Sequence, residues 1–217
     1  MEQLDQISGL IAITLGVGWA SGINLYAAIA TLGILGATGH ADLPPGLEIL
    51  TDPLVIAAAG LMYCLEFVAD KVPGVDTGWD GIHTFIRIPA GAALAAAAVT
   101  DMGTGVELAA AIVGGGLAAT THATKAGSRV LINSSPEPFT NWFASITEDI
   151  LVIAGIWTAL NYPWLFMVAL ALMIALMIWL LPRLWRGIKY LAAKIRNLFT
   201  QNPVPDAPQL PDFTSKD

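Results

Sequence analysis

Six apolar segments fill most of the first 182 residues of this 217-residue chain. They cover residues 8–36, 53–70, 82–100, 106–129, 139–160 and 163–182. A helix needs about 20 apolar residues to cross the roughly 30 Å hydrocarbon core of a bilayer. Only 12% of the residues are charged, against about 25% in a soluble domain. The sequence therefore predicts an all-α integral membrane bundle with about six transmembrane helices.

The basic residues predict how such a bundle is oriented. All ten lie in or near the second and fourth connections, or beyond segment six. Because Lys and Arg concentrate on the cytoplasmic side of a membrane, an even number of spans places both termini in the cytoplasm. The first residues, MEQLDQ, carry no basic region and no cleavage site follows them, so we expect no removable signal peptide.

Segment one is too long for a simple span. Its 29 residues would make a helix of roughly 43 Å. Its middle, GVGWASGIN, combines glycines with Ser21 and Asn24, which predicts either a broken helix or a small-residue packing face. Three consecutive glycines in segment four, 114–116, likewise predict either a hinge or a close helix contact.

Residues beyond the apolar segments form two further regions. The predicted domains are a transmembrane domain (1–182), an amphipathic helix lying on the inner leaflet (183–200) and a disordered cytoplasmic tail (201–217). Residues 183–199 repeat Leu and Ile at helical spacing among five basic residues, which is typical of an interfacial helix. The tail is rich in proline and acids and offers nothing to bury.

The stretch from Tyr63 to Arg87 places seven ionisable side chains at one turn between two apolar segments. Each costs several kcal/mol at membrane depth unless it is paired or hydrated. Similar polar positions recur at helical spacing in segments four and five. The candidate binding or coupling residues are Ser21, Asn24, Glu66, Asp70, Lys71, Asp80, His83, Arg87, His122, Lys125, Arg129 and Glu148.

With alternating topology these polar stripes all lie toward the cytoplasmic ends of their helices and meet in one layer. Their charges nearly cancel, as a low-dielectric site requires. The alternative interpretation is that they are interfacial ion pairs that fasten helix ends, which applies most readily to Lys71, Asp76 and Asp80.

Several enzyme and cofactor classes lack support in the sequence. No HExxH, GxSxG or paired zinc-ligand motif occurs, so an intramembrane enzyme is less favoured, no catalytic residue is assigned and no cofactor is expected. No basic patch interleaved with aromatics indicates nucleic acid. The single cysteine, Cys64, lies in an apolar run. A metal ligand set is not identified, and a homo-oligomer is compatible with the sequence.

Five stretches carry a family resemblance: SGINLYAAIATLG, EFVADKVPGVDTGWDGIHTFIRIPAGA, THATKAGSR, NSSPEPFTN and SITED. Together they resemble a family of bacterial membrane proteins catalogued as a domain of unknown function (DUF4126). The resemblance covers roughly residues 8–160 and implies a small polytopic helical protein of the bacterial inner membrane. It implies no substrate and no catalytic residue.

Three functions fit these observations. A transporter or channel for a small ion or polar solute, with protonatable side chains supplying the coupling, accounts best for buried balanced charges and a broken helix. Recognition or translocation of a phosphate-bearing, anionic lipid is the second, with Arg87, His122, Lys125 and Arg129 gripping the phosphate. A scaffold or assembly protein that uses the amphipathic helix is the third.

Overall fold

The computed structural model describes residues 2–72, 74–134 and 139–199, and every regular element among them is helical. The long helices are α1 (Glu2–Ala37), α2 (Pro53–Ala69), α3 (Val75–Ala97), α4 (Thr104–Ile132), α5 (Phe139–Asn161) and α6 (Pro163–Phe199). Short 3₁₀ helices cover Pro45–Thr51 and Thr100–Met102. The predicted all-α bundle is confirmed. The predicted tail, 201–217, lies outside the described residues.

The chain is a multi-pass membrane protein. Four helices, α1, α4, α5 and α6, are long and apolar enough to cross a bilayer, and α2 with the 3₁₀ helix before it forms a further bent candidate. Large apolar side chains such as Leu54, Phe85 and Leu172 are 69–83% exposed on the outside of the bundle. A helix bundle with such a surface requires lipid rather than water around it.

Helix α1 is broken in its middle. Asn24 has φ −146° and ψ 96°, which is an extended conformation between two helical stretches. We call residues 2–23 the N-terminal arm and residues 25–37 the C-terminal arm. The freed backbone is satisfied locally, because the Asn24 side chain accepts a hydrogen bond from the Ala27 N–H at 2.9 Å. The broken-helix prediction is confirmed.

The bundle has two chemically distinct ends. One end contains the connections 38–52 and 98–103, which carry acids and no Lys or Arg, and we call it the acidic end. The other contains the α2–α3 connection, the end of α4 and the start of α5, and we call it the basic end. Every described Lys and Arg lies toward the basic end.

The N-terminal arm of α1 starts at the acidic end. A cavity there is lined by Asp5 and Ile13 together with Asp42, Pro44 and Leu160, which belong to acidic-end connections and the end of α5. The arm therefore has its free end at the acidic surface.

From there the N-terminal arm runs alongside α4 toward the basic end. Gly18 lies against Gly114, where an added Cβ would be 2.7 Å from the Gly114 Cα. The carbonyl of Ile23, at the bottom of the arm, accepts a 3.0 Å hydrogen bond from Lys125, which is seven residues from the end of α4.

The C-terminal arm returns to the acidic end. The Tyr26 hydroxyl contacts His83 at 3.1 Å, near the start of α3. Further along, Gly33 packs on Leu50 and Ile56, which lie at the acidic end before and at the start of α2. The two arms thus form a re-entrant hairpin whose tip, Asn24, is toward the basic end.

This hairpin changes the predicted topology. The sequence predicted that segment one crosses once and that both termini lie on one side. Because α1 enters and returns, and five further helices alternate, Glu2 is at the acidic end and the C-terminal part of α6 is at the basic end. The first and last described helical segments therefore lie at opposite ends of the bundle, which differs from six simple alternating spans because of the break at Asn24, and the side of the membrane on which each terminus lies stays a prediction.

Small residues let the central helices approach closely. A Cβ on Gly22 would overlap the Thr121 hydroxyl and the Ala118 carbonyl, and one on Gly114 would overlap Ala95. Helix α4 is continuous through this point. Of the two readings of residues 114–116, the structure supports close helix contact rather than a hinge.

Helix α6 differs from the predicted division at residue 182. It runs without interruption through Pro182, and Leu184 and Ile188 still pack on Gly127 of α4. The first turns beyond residue 182 therefore belong to the bundle. At about 1.5 Å per residue the whole helix is about 55 Å long, so its last turns extend beyond the bilayer core. Their placement along the inner leaflet stays a prediction.

Candidate functional site

Five helices turn polar side chains toward one point near the basic end. Helix α2 contributes its last turn, α3 and α5 contribute their first turns, α4 contributes its last three turns and α1 contributes its broken tip. We call this group the charged layer: Asn24, Glu66, Asp70, Asp80, Arg87, His122, Lys125, Arg129, Asn141, Glu148 and Asp149. Glu148, whose side chain is 18% exposed, is the only member not classed as buried.

Arg87 joins α3 to α2. Its Nη2 donates to Glu66 Oε1 at 2.6 Å, and its Nη1 donates to Asp80 Oδ1 at 3.2 Å. All three side chains are at most 1% exposed. Such pairs are short and strong, and removal of one partner leaves a buried charge uncompensated.

Lys125 lies at the centre of the layer. Its Nζ is 3.0 Å from Asp70 Oδ2 and 3.4 Å from both Glu66 Oε1 and Glu148 Oε2. It also donates to the Ile23 carbonyl at 3.0 Å, at the tip of the α1 hairpin. One ammonium group thus connects α1, α2, α4 and α5.

Arg129 joins α4 to α5 at the level nearest the basic end. Its Nη2 donates to Glu148 Oε2 at 2.7 Å and is 3.6 Å from Asp70 Oδ2. Its Nη1 donates to the side-chain and main-chain oxygens of Asn141. The guanidinium group is fully buried.

Asp149 is the carboxylate that sequence reasoning missed. It is 6% exposed, and its Oδ1 accepts a 2.9 Å hydrogen bond from Asn24 Nδ2. The Tyr63 side chain also interacts with it. Within the described part of the chain, no Lys, Arg or His nitrogen lies within ion-pair distance of Asp149, and its Oδ2 has no protein hydrogen-bond partner.

The layer is therefore not charge-balanced. Its carboxylates are Glu66, Asp70, Asp80, Glu148 and Asp149, and its bases are Arg87, Lys125 and Arg129. Five acids against three bases leave two negative charges within the layer if all are ionised, and the Lys71 ammonium group just outside the layer interacts electrostatically with Asp149 and Asp70. Isolated charge in a medium of low dielectric is costly and is relieved by a bound proton or cation. Four of these carboxylates also have one oxygen without a protein partner: Glu66, Asp70, Asp80 and Asp149.

Hydrogen bonding fixes His122 as a neutral ring. Its Nδ1 faces Arg87 Nη1 at 3.2 Å, and a guanidinium group can only donate. Its Nε2 is 3.1 Å from the Asp80 carbonyl, which can only accept, and 2.7 Å from the Thr84 hydroxyl. Nε2 therefore carries the proton. A second proton on Nδ1 would break the contact with Arg87, so His122 is poorly placed to carry protons.

His83 lies beside the layer rather than in it. Its Nδ1 is 2.9 Å from the Trp79 carbonyl, so that nitrogen is the donor and Nε2 accepts from the Tyr26 hydroxyl. The imidazole stacks on Trp79, with ring centroids 4.5 Å apart.

Two predicted residues are outside the layer. The Lys71 ammonium donates to the Phe67 carbonyl at 3.0 Å and lies over the Phe67 ring. Ser21 is buried in α1, where its hydroxyl donates to the carbonyl of Val17. The structure brings the other predicted residues together or, for His83, next to the layer.

Contacts between the described helices flank the layer on both sides. Toward the basic end, Asn133 Nδ2 donates to both oxygens of Asp76 at 2.7 and 2.8 Å, joining the end of α4 to the start of α3. Toward the acidic end, the space between the arms of α1 and their neighbours is filled by a core that includes Val17, Leu32 and Ile156. No group of three or more metal-ligating side chains occurs among the described residues.

A family model matches residues 11–183, which is more than half of the chain, and its description is "Domain of unknown function (DUF4126)". The chain belongs to the DUF4126 family. Searches for similar curated proteins and for similar solved structures found no match. Membership of DUF4126 thus confirms the family resemblance and brings no function with it.

A weaker sequence signal pointed to the missed residues. Asn141, Ser145 and Asp149 recur every four residues and lie on one face of α5, buried against the layer. The prediction grouped Asn141 and Ser145 with Glu148, at spacing i, i+4, i+7, rather than with Asp149. Both acids reach the layer from neighbouring positions on the helix.

Proposed function

We propose that this DUF4126 protein is a proton-coupled membrane transporter for a small ion or polar solute, with the charged layer as its coupling site. The observation that carries the proposal is the excess of two carboxylates over basic residues in the charged layer, at the tip of a re-entrant helix. Broken helices that meet buried ionisable groups are characteristic of secondary transporters.

Asp149 is the carboxylate best placed to take up the proton. Neutral partners, Asn24 and Tyr63, contact it, so its protonation breaks no ion pair. Asp70 and Glu66 each contact two bases, and protonating either would leave buried cations short of a partner. Because Asn24 forms the break in α1, the charge on Asp149 bears directly on the tip of the hairpin.

The helix contacts that flank the layer favour a carrier over a channel. A channel needs a continuous path, whereas a carrier passes through states in which the site is closed to both compartments. In such a carrier the Asp76–Asn133 contact would act as the barrier toward the basic end, and the packing between the α1 arms would act as the barrier toward the acidic end.

The distribution of basic residues supports an orientation for this carrier. With the basic end in the cytoplasm of a bacterial cell, the N-terminus faces the opposite side of the inner membrane. The coupling site then lies toward the cytoplasm, at roughly 10 Å from the end of α4, since Lys125 is seven residues from that end.

The charge pairing argues against lipid phosphate as the ligand. Arg87, Lys125 and Arg129 each contact at least two carboxylates, so a phosphate would have to displace acids from every one of them. A scaffold that uses the projecting end of α6 would not need a buried charged layer.

Flux measurements in proteoliposomes test the proposal. Vesicles containing the full chain and a luminal pH dye receive pulses of Na⁺, K⁺, guanidinium or butylammonium chloride, and protein-free vesicles correct for passive permeation of butylamine. We expect at least one cation to drive proton movement through the wild type, and Asp149→Asn to abolish that movement while remaining folded. The control is Asp101→Asn, an exposed acid at the acidic end.

Three outcomes would contradict the proposal. They are proton movement that Asp149→Asn leaves unchanged, the absence of a response to all four cations, and scrambling of a labelled phospholipid with no cation response. The last outcome would support the lipid function instead.

A further inference from the structure

A cavity of about 180 Å³ lies beside the charged layer, between α1, α4, α5 and α6. Its polar wall is formed by side chains of α4 and α5: Thr121, Thr124, Lys125, Ser128 and Glu148. Its apolar wall is formed by α1 and α6: Trp19, Ile23, Met173, Leu176, Met177 and Leu180. Liquid water would place about six molecules in this volume, so it fits a small ligand, and it is open along α6, where Leu176 is 55% exposed.

The hydroxyl groups of the polar wall can accept hydrogen bonds from a ligand but cannot donate them. Thr121 donates to the Leu117 carbonyl at 2.9 Å, and Thr124 donates to the Thr120 carbonyl at 2.8 Å. Ser128 donates to the Thr124 carbonyl at 2.7 Å. Each hydroxyl has one proton, so these bonds use its donor and leave oxygen lone pairs toward the cavity.

The other hydrogen-bond donors on the lining already have acceptors within the protein. The Lys125 ammonium, which has three protons, is within 3.0 Å of Asp70 and the Ile23 carbonyl and 3.4 Å from Glu66. The Trp19 Nε1 donates to the Met173 sulfur at 2.9 Å. An anionic ligand would therefore find no side-chain donor free on the described lining.

Glu148 and Lys125 are the charged side chains of this lining, and the Oε2 atom of Glu148 is already paired with Arg129 at 2.7 Å and with Lys125 at 3.4 Å. The Glu148 side chain is 18% exposed, whereas the other acids paired with the layer's bases are at most 2% exposed. It is thus the carboxylate most accessible from the cavity, in a layer that already carries excess negative charge. Acceptors and a carboxylate on one wall and methionines on the other favour a cation with a short apolar body.

We propose that this cavity binds a small primary alkylammonium ion, with the ammonium group toward Glu148 and the α4 hydroxyls and the alkyl chain against Met173 and Met177. This inference rests on the proposed function and names the substrate class of the same site. A ligand carboxylate or phosphate group would find no free hydrogen-bond donor on the described lining.

Calorimetric titration of the full chain in detergent tests the ligand class with three probes of similar size: butylammonium, 1-butanol and butyrate. We expect saturable binding of butylammonium, at least tenfold weaker binding of 1-butanol and no binding of butyrate. Equal binding of the amine and the alcohol would overturn the proposal, because the cavity would then be merely apolar. Preferred binding of butyrate would also overturn it.

Two variants test the location. Glu148→Gln removes the charge and should weaken butylammonium binding at least tenfold. Met177→Trp fills the cavity from the buried face of α6 without changing a charge and should abolish binding. The matched control, Leu172→Trp, places the same ring on the lipid-facing side of α6, where Leu172 is 69% exposed, and should leave binding unchanged. Binding that survives Met177→Trp would place the ligand elsewhere.

The result is separable from the flux experiment. Calorimetry needs neither a gradient nor a working transport cycle. If cations drive proton movement but butylammonium does not bind, the transporter proposal stands and the alkylammonium proposal is rejected. If butylammonium binds saturably to the wild type but not to Met177→Trp, and no cation drives proton movement, the binding-site proposal stands and the transporter proposal is rejected.

Discussion

Two aspartates of the charged layer should respond oppositely to the same chemical change. Asp70 Oδ2 is 3.0 Å from Lys125 and 3.6 Å from Arg129, and all three side chains are at most 2% exposed. Replacing Asp70 by Asn deprives two buried cations of a counter-charge. The loss of one partner from a buried pair costs about 3–5 kcal/mol, and we expect Asp70→Asn to lower the free energy of unfolding by that amount.

Asp149→Asn should cost much less. No base lies within ion-pair distance of Asp149 in the described chain, and an Asn oxygen can still accept the hydrogen bond from Asn24. The substitution also removes one of two excess negative charges. We therefore expect a change within about 1 kcal/mol, the scale of one neutral hydrogen bond.

The free energy of unfolding can be measured by SDS titration of the purified protein in mixed micelles, with helix content as the signal. Asp101→Asn, at an exposed position of the acidic end, sets the background effect of the substitution. If Asp149→Asn destabilises the protein as much as Asp70→Asn does, Asp149 is an integral part of the ion-pair network, and the charge imbalance inferred for the layer is incorrect.

Two further predictions concern topology and packing. Leu4 and Tyr190 are both exposed, so each can be replaced by Cys in a Cys64→Ala background and labelled with an impermeant maleimide. We expect the reagent to label Leu4→Cys from one side of the membrane and Tyr190→Cys from the other. Labelling of both positions from the same side would exclude the re-entrant hairpin. Gly114→Ala should destabilise the bundle by about 1–3 kcal/mol through overpacking. Gly116→Ala, in open space two residues away, should stabilise the bundle by up to about 1 kcal/mol through helix propensity. If both substitutions change the free energy of unfolding equally, α4 is not held by close contact at Gly114.

Helical periodicity was sufficient to predict most of the layer's residues, but not Asp149 or the excess of acids. The spacing of Asp80, His83 and Arg87, and that of His122, Lys125 and Arg129, places each set on one helix face, and the structure turns both faces inward. Glu66 Oε1 lies 3.4 Å from Lys125 Nζ of α4. Its shortest contact is with Arg87, a pairing that depends on how α2 and α3 fold back on each other.

The fold of α1 was only partly predictable. Local chemistry identified the break, because Asn24 follows a run of small residues that weaken a helix. Its consequence depends on long-range contacts: Gly18 and Gly22 dock on α4, and Gly33 docks on the start of α2. A hydropathy profile shows the same long apolar segment whether the segment forms a single tilted span or a hairpin. The direction of the second arm, and with it the end of the bundle at which the first described residues lie, therefore required the structure.

Helix α3 has a consequence for biogenesis. It carries Asp76, Asp80 and Arg87 and is not among the helices apolar enough to cross a membrane alone. Each such charge disfavours release from the translocon by about 2.5–3.5 kcal/mol at mid-membrane. Arg87 finds one partner on α2, which is made earlier, but Asp80 also contacts Lys125 on α4, which is made later. We infer that α3 is retained until α4 has been synthesised and that the two leave the translocon together as a hairpin.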